Sequence, residues 1–287
     1  MIIFNEQKNQ LCNRLFAFLP SIAFALENNE KMLVLFFSEK YLSLFPNLAQ
    51  HRLIKFSLSC KDVYPKGWLK ALYLITKGIG KTAVFGRKEF SFLDVSRNRN
   101  RLLFVRGWKD RYAPSYLAKH HEAIQTLFEP TIHVKTMVNS ALPLSEDTVL
   151  IGVHIRRGDY KNYKNGIYYY SDDVYAHYMD QLQSILSSQD KKVSFLLCSN
   201  EPISETLLLN YPVIRIPTND PMMELHALSC CDFLIGPPST FSQWASFIGK
   251  VPLKFIRSKE EEPLTLSDFN YILSIDRLNN VNHPIAY

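Results

Sequence analysis

No run of about 18 or more apolar residues, the length a spanning helix needs, occurs in the sequence, so a membrane span is not expected. The longest apolar stretch near the start, Leu15 to Leu26, is interrupted by Pro20 and Ser21. It carries no basic leader and no small-residue cleavage site, which argues against a signal peptide. Cysteine is scarce as well. Cys12, Cys60, Cys198, Cys230 and Cys231 make an odd count with neither a metal-ligand spacing nor a disulfide rhythm. Such usage suits a reducing compartment, and the expected location is the cytoplasm. Repeats and low-complexity tracts are missing. Also missing are a Walker loop, a G-x-G-x-x-G turn, a G-x-S-x-G elbow and a Cys/His metal cluster. No D-x-D pair is placed to hold Mg²⁺ against a diphosphate; Asp172-Asp173 reads better as a helix start.

What is present is an ordinary globular composition, with 47% hydrophobic and 21% charged residues. At 287 residues the chain exceeds the size at which one core stops growing, so two domains are expected. The net charge of +6 comes largely from the first 120 residues, including Lys81, Arg87, Lys88, Arg97, Arg99, Arg101, Arg106, Lys109 and Arg111. Attraction to a polyanion is one reading and a solvated face is the blander one. No nucleic-acid module accompanies the charge, so nucleic acid is not an expected partner. Peripheral contact with a membrane, at its inner face, stays open.

Residue spacing predicts a helix over Asn13–Asn28, kinked or divided at Pro20, and a strand over Met32–Phe37. From Lys61 to Arg111 the pattern is irregular, with Trp68, Tyr73, Phe85, Phe90, Phe92 and Trp108 among basic residues. Such aromatics are either a sugar platform or core. A further helix is predicted over Pro114–Phe128. The domain boundary is placed after residue 145, giving 1–145 and 146–287. The second part alternates more regularly. Val149 to Ile155 has the continuous apolar character of a strand buried on both faces. Strands at Val193–Cys198, Val213–Ile216, Asp232–Ile235 and Pro252–Ile256 alternate with helices at Asp172–Leu186, after Pro202, at Met222–Cys230 and from Ser239. That order predicts right-handed crossovers, a parallel sheet and a Rossmann-like layout.

Three constellations point to chemistry. His154-Ile155-Arg156-Arg157-Gly158-Asp159-Tyr160 lies where the first of these strands ends, the place where open α/β sheets bind ligands. Its two guanidiniums suit bidentate phosphate binding, Gly158 permits a tight turn and Asp159 can orient an arginine. His154 alone reads as a core histidine. Gly236-Pro237-Pro238-Ser239-Thr240-Phe241-Ser242 leaves another strand and opens a helix, whose free N–H groups and dipole attract anions. Simple N-capping explains those hydroxyls equally well. Glu224 could accept paired hydrogen bonds from the N1 and N2 edge of guanine, or could merely face solvent.

The first of these segments resembles the H-x-R-R-x-D motif shared by α-1,2-, α-1,6- and protein O-fucosyltransferases. Asp232-Phe233-Leu234-Ile235 with Ser239-Thr240-Phe241-Ser242-Gln243-Trp244-Ala245 resembles a later motif of that superfamily, and Asn13-Arg14-Leu15-Phe16 resembles its N-terminal segment. The closest resemblance is to the bacterial α-1,2-fucosyltransferases. It implies a GT-B-like α/β fold, with two Rossmann-like domains facing a cleft, an acceptor side first and a nucleotide-sugar side second. It implies inverting transfer from GDP-fucose to an oligosaccharide or lipid-linked glycan hydroxyl in surface-polysaccharide or lipopolysaccharide assembly, with no metal and no resident cofactor. In that frame Arg156 contacts the β-phosphate, supported by Arg157 and His154. Ser239, Thr240 and Phe241 hold phosphate or ribose, and Glu224, eight residues before Asp232, reads guanine. Asp159, Glu6 or another first-half acid is the candidate base. The family's glycine-rich opening is here Lys8-Asn9-Gln10-Leu11-Cys12-Asn13, without glycine, and the later motif is kept only in part. Those departures leave open the linkage, another GDP-sugar donor, or a non-catalytic nucleotide- or polyanion-binding module.

Overall fold

The computed structural model describes residues 1–5, 10–83, 103–105, 114–142, 147–218, 220–258 and 263–272. Glu6, Lys8, Asn9, Phe85, Phe90, Phe92, Trp108 and the basic residues from Arg87 to Arg111 lie outside the described residues. The chain divides into two compact units, Met1–Thr131 and Ile132–Tyr287.

In the first unit, strands β1 (Ile2–Phe4), β2 (Met32–Leu35), β3 (Ile54–Ser57) and β4 (Leu103–Val105) pair in parallel in the order β3-β2-β1-β4. The Leu11–Asn28 helix runs through Pro20 without division. It is apolar nearly all round, and Leu15, Leu19, Ile22 and Ala25 are buried, as expected of a helix enclosed by its own unit. Arg14 is buried within it. Its guanidinium donates to the Val63 carbonyl at 2.7 Å and lies 5.4 Å and 5.0 Å from the Tyr41 and Tyr64 ring centres. The predicted strand ends early, because Phe36 turns into the left-handed region at φ 58°. The irregular segment after Lys61 contains a helix, Gly67–Ala83, that periodicity did not reveal. The predicted Pro114–Phe128 helix is two, Pro114–Lys119 and His121–Leu127.

The second unit begins with the Ile132–Ala141 helix. Its sheet is fully parallel, in the order β7-β6-β5-β8-β9: β5 (Thr148–Ile155), β6 (Lys192–Ser199), β7 (Val213–Ile214), β8 (Phe233–Gly236) and β9 (Leu253–Phe255). Successive side chains of a strand point to opposite faces. On one face Ile151, Val153 and Ile155 of β5 join Phe195 and Leu197 of β6. These pack with Tyr175, Tyr178, Met179 and Leu182 of the Asp172–Ser187 helix. On the other face Gly152 looks at Leu228 of the Pro221–Ser229 helix, and His154 meets Phe241 of the Thr240–Gly249 helix. Helices therefore cover both faces. Each fully buried aliphatic side chain in such a layer contributes roughly 1.5–3 kcal/mol.

The strand order fixes where a ligand can enter. β5 comes first in this unit, its successors β6 and β7 lie to one side, and β8 and β9 lie to the other. The crossovers leave β5 and β8 in opposite directions, which opens a crevice beyond their carboxyl ends.

Candidate functional site

Both predicted motifs converge on that crevice. Gly236, at the end of β8, lies against the backbone of His154: a β-carbon there would sit 2.6 Å from the His154 carbonyl oxygen. Only glycine lets the two strands close at this level. The His154 ring then faces Phe241, ring centres 5.1 Å apart and 35° between planes. His154 is buried, and its pKa is pushed down to about 3, first by burial and then by the neighbouring charge of Arg156. It is a neutral imidazole at any working pH.

The adjacent arginines behave oppositely. Beyond β5, Gly158 takes a left-handed φ of 60°, and a β-carbon on it would meet the Asn200 amide at 2.8 Å. The turn thus demands glycine. Its backbone is fastened to the end of β6 by Arg157 N–H donating to Asn200 Oδ1 at 2.9 Å. The Arg157 side chain turns inward, donating to Asp172 at the start of the next helix and to the Pro202 carbonyl at 3.4 Å. Burial alone would raise the Asp172 carboxyl, but hydrogen bonds from Ser204 and Arg157 together hold it below its ordinary value. Arg157 is a brace. Arg156 stays at the mouth. It pairs with Asp159 at 2.8 Å, where the partner is 64% exposed, and lies over the Tyr160 ring at 5.6 Å. An exposed pair of this kind is worth at most about 1 kcal/mol and exchanges readily for a phosphate.

Tyr160, buried, ties this turn to the opposite one by donating to the Pro238 carbonyl at 2.5 Å. Burial raises its phenol to about 12. Next to Pro238, Ser239 is buried, extended and caps the ten-residue Thr240–Gly249 helix by accepting from Phe241 N–H at 3.2 Å. Ser242 donates to the Ser239 carbonyl at 3.2 Å. The serine side chains are committed to the cap, and the anion-attracting element left over is the helix N-terminus itself.

Glu224 sits in the first turn of the Pro221–Ser229 helix, which Asp220 caps by accepting from Met222 N–H at 2.9 Å. It is not a solvent-facing acid. Burial lifts its carboxyl to about 7 against the opposing pull of Arg215, which follows β7. The Glu224 carbonyl meets the thiol of Cys198 at 4.0 Å, and Cys198 pairs in register with His154. The first turn of this helix therefore lies at the level of the His154–Phe241 stack, on the same face of the sheet.

Of the predicted site residues, the structure brings His154, Arg156, Asp159, Ser239, Thr240 and Phe241 to the mouth between β5 and β8. It places Glu224 at the level of His154 across β6 and turns Arg157 away. Tyr160, Asn200, Asp172 and Arg215 were given no binding or bracing role by sequence reasoning. Asn200 and Arg215 each follow a strand, and that position was the available signal. Among the described residues no group of three or more His, Cys, Asp or Glu side chains is arranged to hold a metal ion.

No family model matches the chain, and no curated protein matches it. Solved structures do. Fucosyltransferase NodZ from Bradyrhizobium aligns with a TM-score of 0.53 at 12% identity, over 88% of this chain and 94% of its own. POFUT1 in complex with GDP aligns at 0.54 and 13% identity, over 88% and 97%. NodZ α-1,6-fucosyltransferase soaked with GDP-fucose gives 0.50 and 12%, over 93% and 96%. The fold matches that of these solved structures. At such identities the likeness extends to the α/β architecture and its parallel sheets, as expected from the motifs. The alignments cover most of the chain.

Proposed function

We propose that the chain is an inverting glycosyltransferase that moves fucose from GDP-fucose to a glycan hydroxyl. The observation that carries this is the pairing of one exchangeable arginine, Arg156, with a capped helix N-terminus across the crevice between β5 and β8. A diphosphate seated there meets a guanidinium able to bind two oxygens and several backbone N–H groups. Ionised Glu224 accepts from guanine N1–H and N2–H, a pair that adenine does not present. The solved structures of the same fold with GDP and GDP-fucose support this choice of donor.

In the reaction the bond between fucose C1 and the β-phosphate oxygen breaks as the acceptor oxygen attacks C1 from the opposite face. The hydroxyl proton passes to a carboxylate, and GDP departs with its new charge neutralised by Arg156 and the helix N-terminus. Asp159 is released when Arg156 turns to phosphate, which makes it the described candidate for that carboxylate. Neutral His154 packs on Phe241 and keeps the floor of the site rigid without adding charge. Arg157 braces the turn through Asp172. The α-1,2 linkage and the role in surface-polysaccharide or lipopolysaccharide assembly rest on the motif resemblance, and the cytoplasmic setting rests on the cysteine usage.

Purified protein incubated with GDP-fucose or GDP-mannose tests the donor. GDP release should be at least about tenfold faster from GDP-fucose. Faster release from GDP-mannose would keep the guanine site and replace the sugar; release from neither, with any acceptor glycan, would reduce the chain to a nucleotide-binding module.

A further inference from the structure

We propose that the first unit docks on an anionic membrane surface through the outer face of the Gly67–Ala83 helix, independently of the nucleotide site. The inner face of this helix is accounted for: Leu69, Leu72 and Tyr73 pack on Ile3, Leu35, Phe36 and Cys60. Tyr73 meets Phe36 edge-on, with ring centres 5.6 Å apart. The opposite face is apolar too. Trp68 is 69% exposed, Leu74 55% and Ile75 59%, with Tyr64 at 49% just ahead of the helix. Helical spacing aligns Trp68, Ala71 and Ile75 on one stripe and sets Leu74 beside it. Four of the nine large hydrophobic side chains exposed among the described residues fall between positions 64 and 75. This is a local patch rather than the ordinary scatter of surface apolar groups.

Charge selects the occupant. Residues 61–113 hold thirteen Lys and Arg against four Asp and Glu, a net +9, while the whole chain is +6. The excess positive charge is therefore confined to this segment, and the remainder of the chain is net −3. Lys61, Lys66 and Lys70 are exposed around the start of the stripe, Lys66 pairing with Asp62 at 2.7 Å. A helix with tryptophan and aliphatic side chains on one face and lysines beside them lies in the plane of a bilayer interface. Its apolar face enters the headgroup boundary while the lysines meet anionic headgroups. A nucleic acid would reward the charge but gain nothing from Leu74 and Ile75. A neutral protein groove would reward the stripe but not the charge. Among the described residues no helix is long and apolar enough to cross a membrane, so the contact is peripheral.

Flotation of the full chain with phosphatidylcholine vesicles, with and without phosphatidylglycerol, tests the proposal. Binding should be at least about tenfold stronger to the anionic vesicles and should weaken with salt. Trp68→Glu combined with Ile75→Glu should lower it about tenfold or more, with GDP binding unchanged as a check on folding. Leu74→Ser, on the same face, should also weaken it, which separates docking from a defect peculiar to one variant. No preference for anionic vesicles, or full binding by both variants, would overturn the proposal. So would tight binding of a soluble polyanion such as heparin that ignores the three substitutions while vesicles are not bound.

Discussion

Alanine at position 156 and alanine at position 157 should give opposite phenotypes. Arg156→Ala should lower fucosyl transfer about 100- to 1000-fold, the loss typical of removing one preorganised donor from a developing anion. Its thermal stability should stay near wild type, because the Arg156–Asp159 pair is largely exposed. Arg157→Ala should instead destabilise the second unit. It strips the Asp172 carboxylate, which is partly buried, of its charged partner and leaves it Ser204, whose N–H donates at 3.1 Å; it also frees the Pro202 carbonyl. A fully buried pair costs about 3–5 kcal/mol to break, so roughly 2–3 kcal/mol is expected for this partly exposed one. In a unit of this size that is a fall in Tm of roughly 5–10 °C. Arg157→Lys should recover little, since one ammonium cannot reach both Asp172 and the Pro202 carbonyl. Calorimetric melting and an initial-rate assay on the two alanine variants decide the matter. Loss of activity without loss of stability at both positions would make Arg157 a ligand contact instead of a brace.

Glu224→Gln should have two effects of opposite sign. The ordinary carboxyl value is 4.5, and burial raises it in the folded chain to about 7. Between those values the folded chain holds a proton that the unfolded chain has released. The contribution to stability is therefore complete below about pH 4.5 and declines as pH rises, until above pH 7 the full desolvation cost is carried. Glutamine removes that decline and, because the partly exposed carboxylate is screened by solvent, should stabilise the protein at pH 8 by on the order of 1 kcal/mol. Guanine needs the ionised carboxylate. GDP affinity should thus fall about tenfold for each pH unit below 7 in the wild type. In Glu224→Gln it should be weak and flat with pH. Urea melts at pH 5 and 8, set beside GDP titrations at the same values, test both halves. A variant that is less stable at pH 8 and still binds GDP with the wild-type pH profile would remove Glu224 from the base pocket.

The second unit was legible because its signals are local. A continuous apolar run such as Val149 to Ile155 has few structural alternatives once helices flank it, and Ser239 marks a helix start whatever surrounds it. Strand ends also locate the crevice, since in a parallel sheet ligands collect there. Short elements were not legible. The three residues of β1 carry no periodicity, and in the Gly67–Ala83 helix apolar residues on both faces hide the stripe that would normally announce it. The division of labour between the two arginines depends on Asp172, fifteen positions away, and on Asn200 at the end of another strand. Spacing alone does not encode such contacts. Likewise, Glu224 reads as a surface acid until Cys198 and Arg215 are placed around it.

The central claim, a guanosine diphosphate site between β5 and β8, is tested most directly by isothermal titration of the purified protein with GDP, ADP and UDP at pH 8. The account predicts saturable GDP binding, with ADP and UDP at least about tenfold weaker because neither presents the N1 and N2 donor pair to Glu224. Equal binding of all three nucleotides, or no binding of GDP, would contradict it.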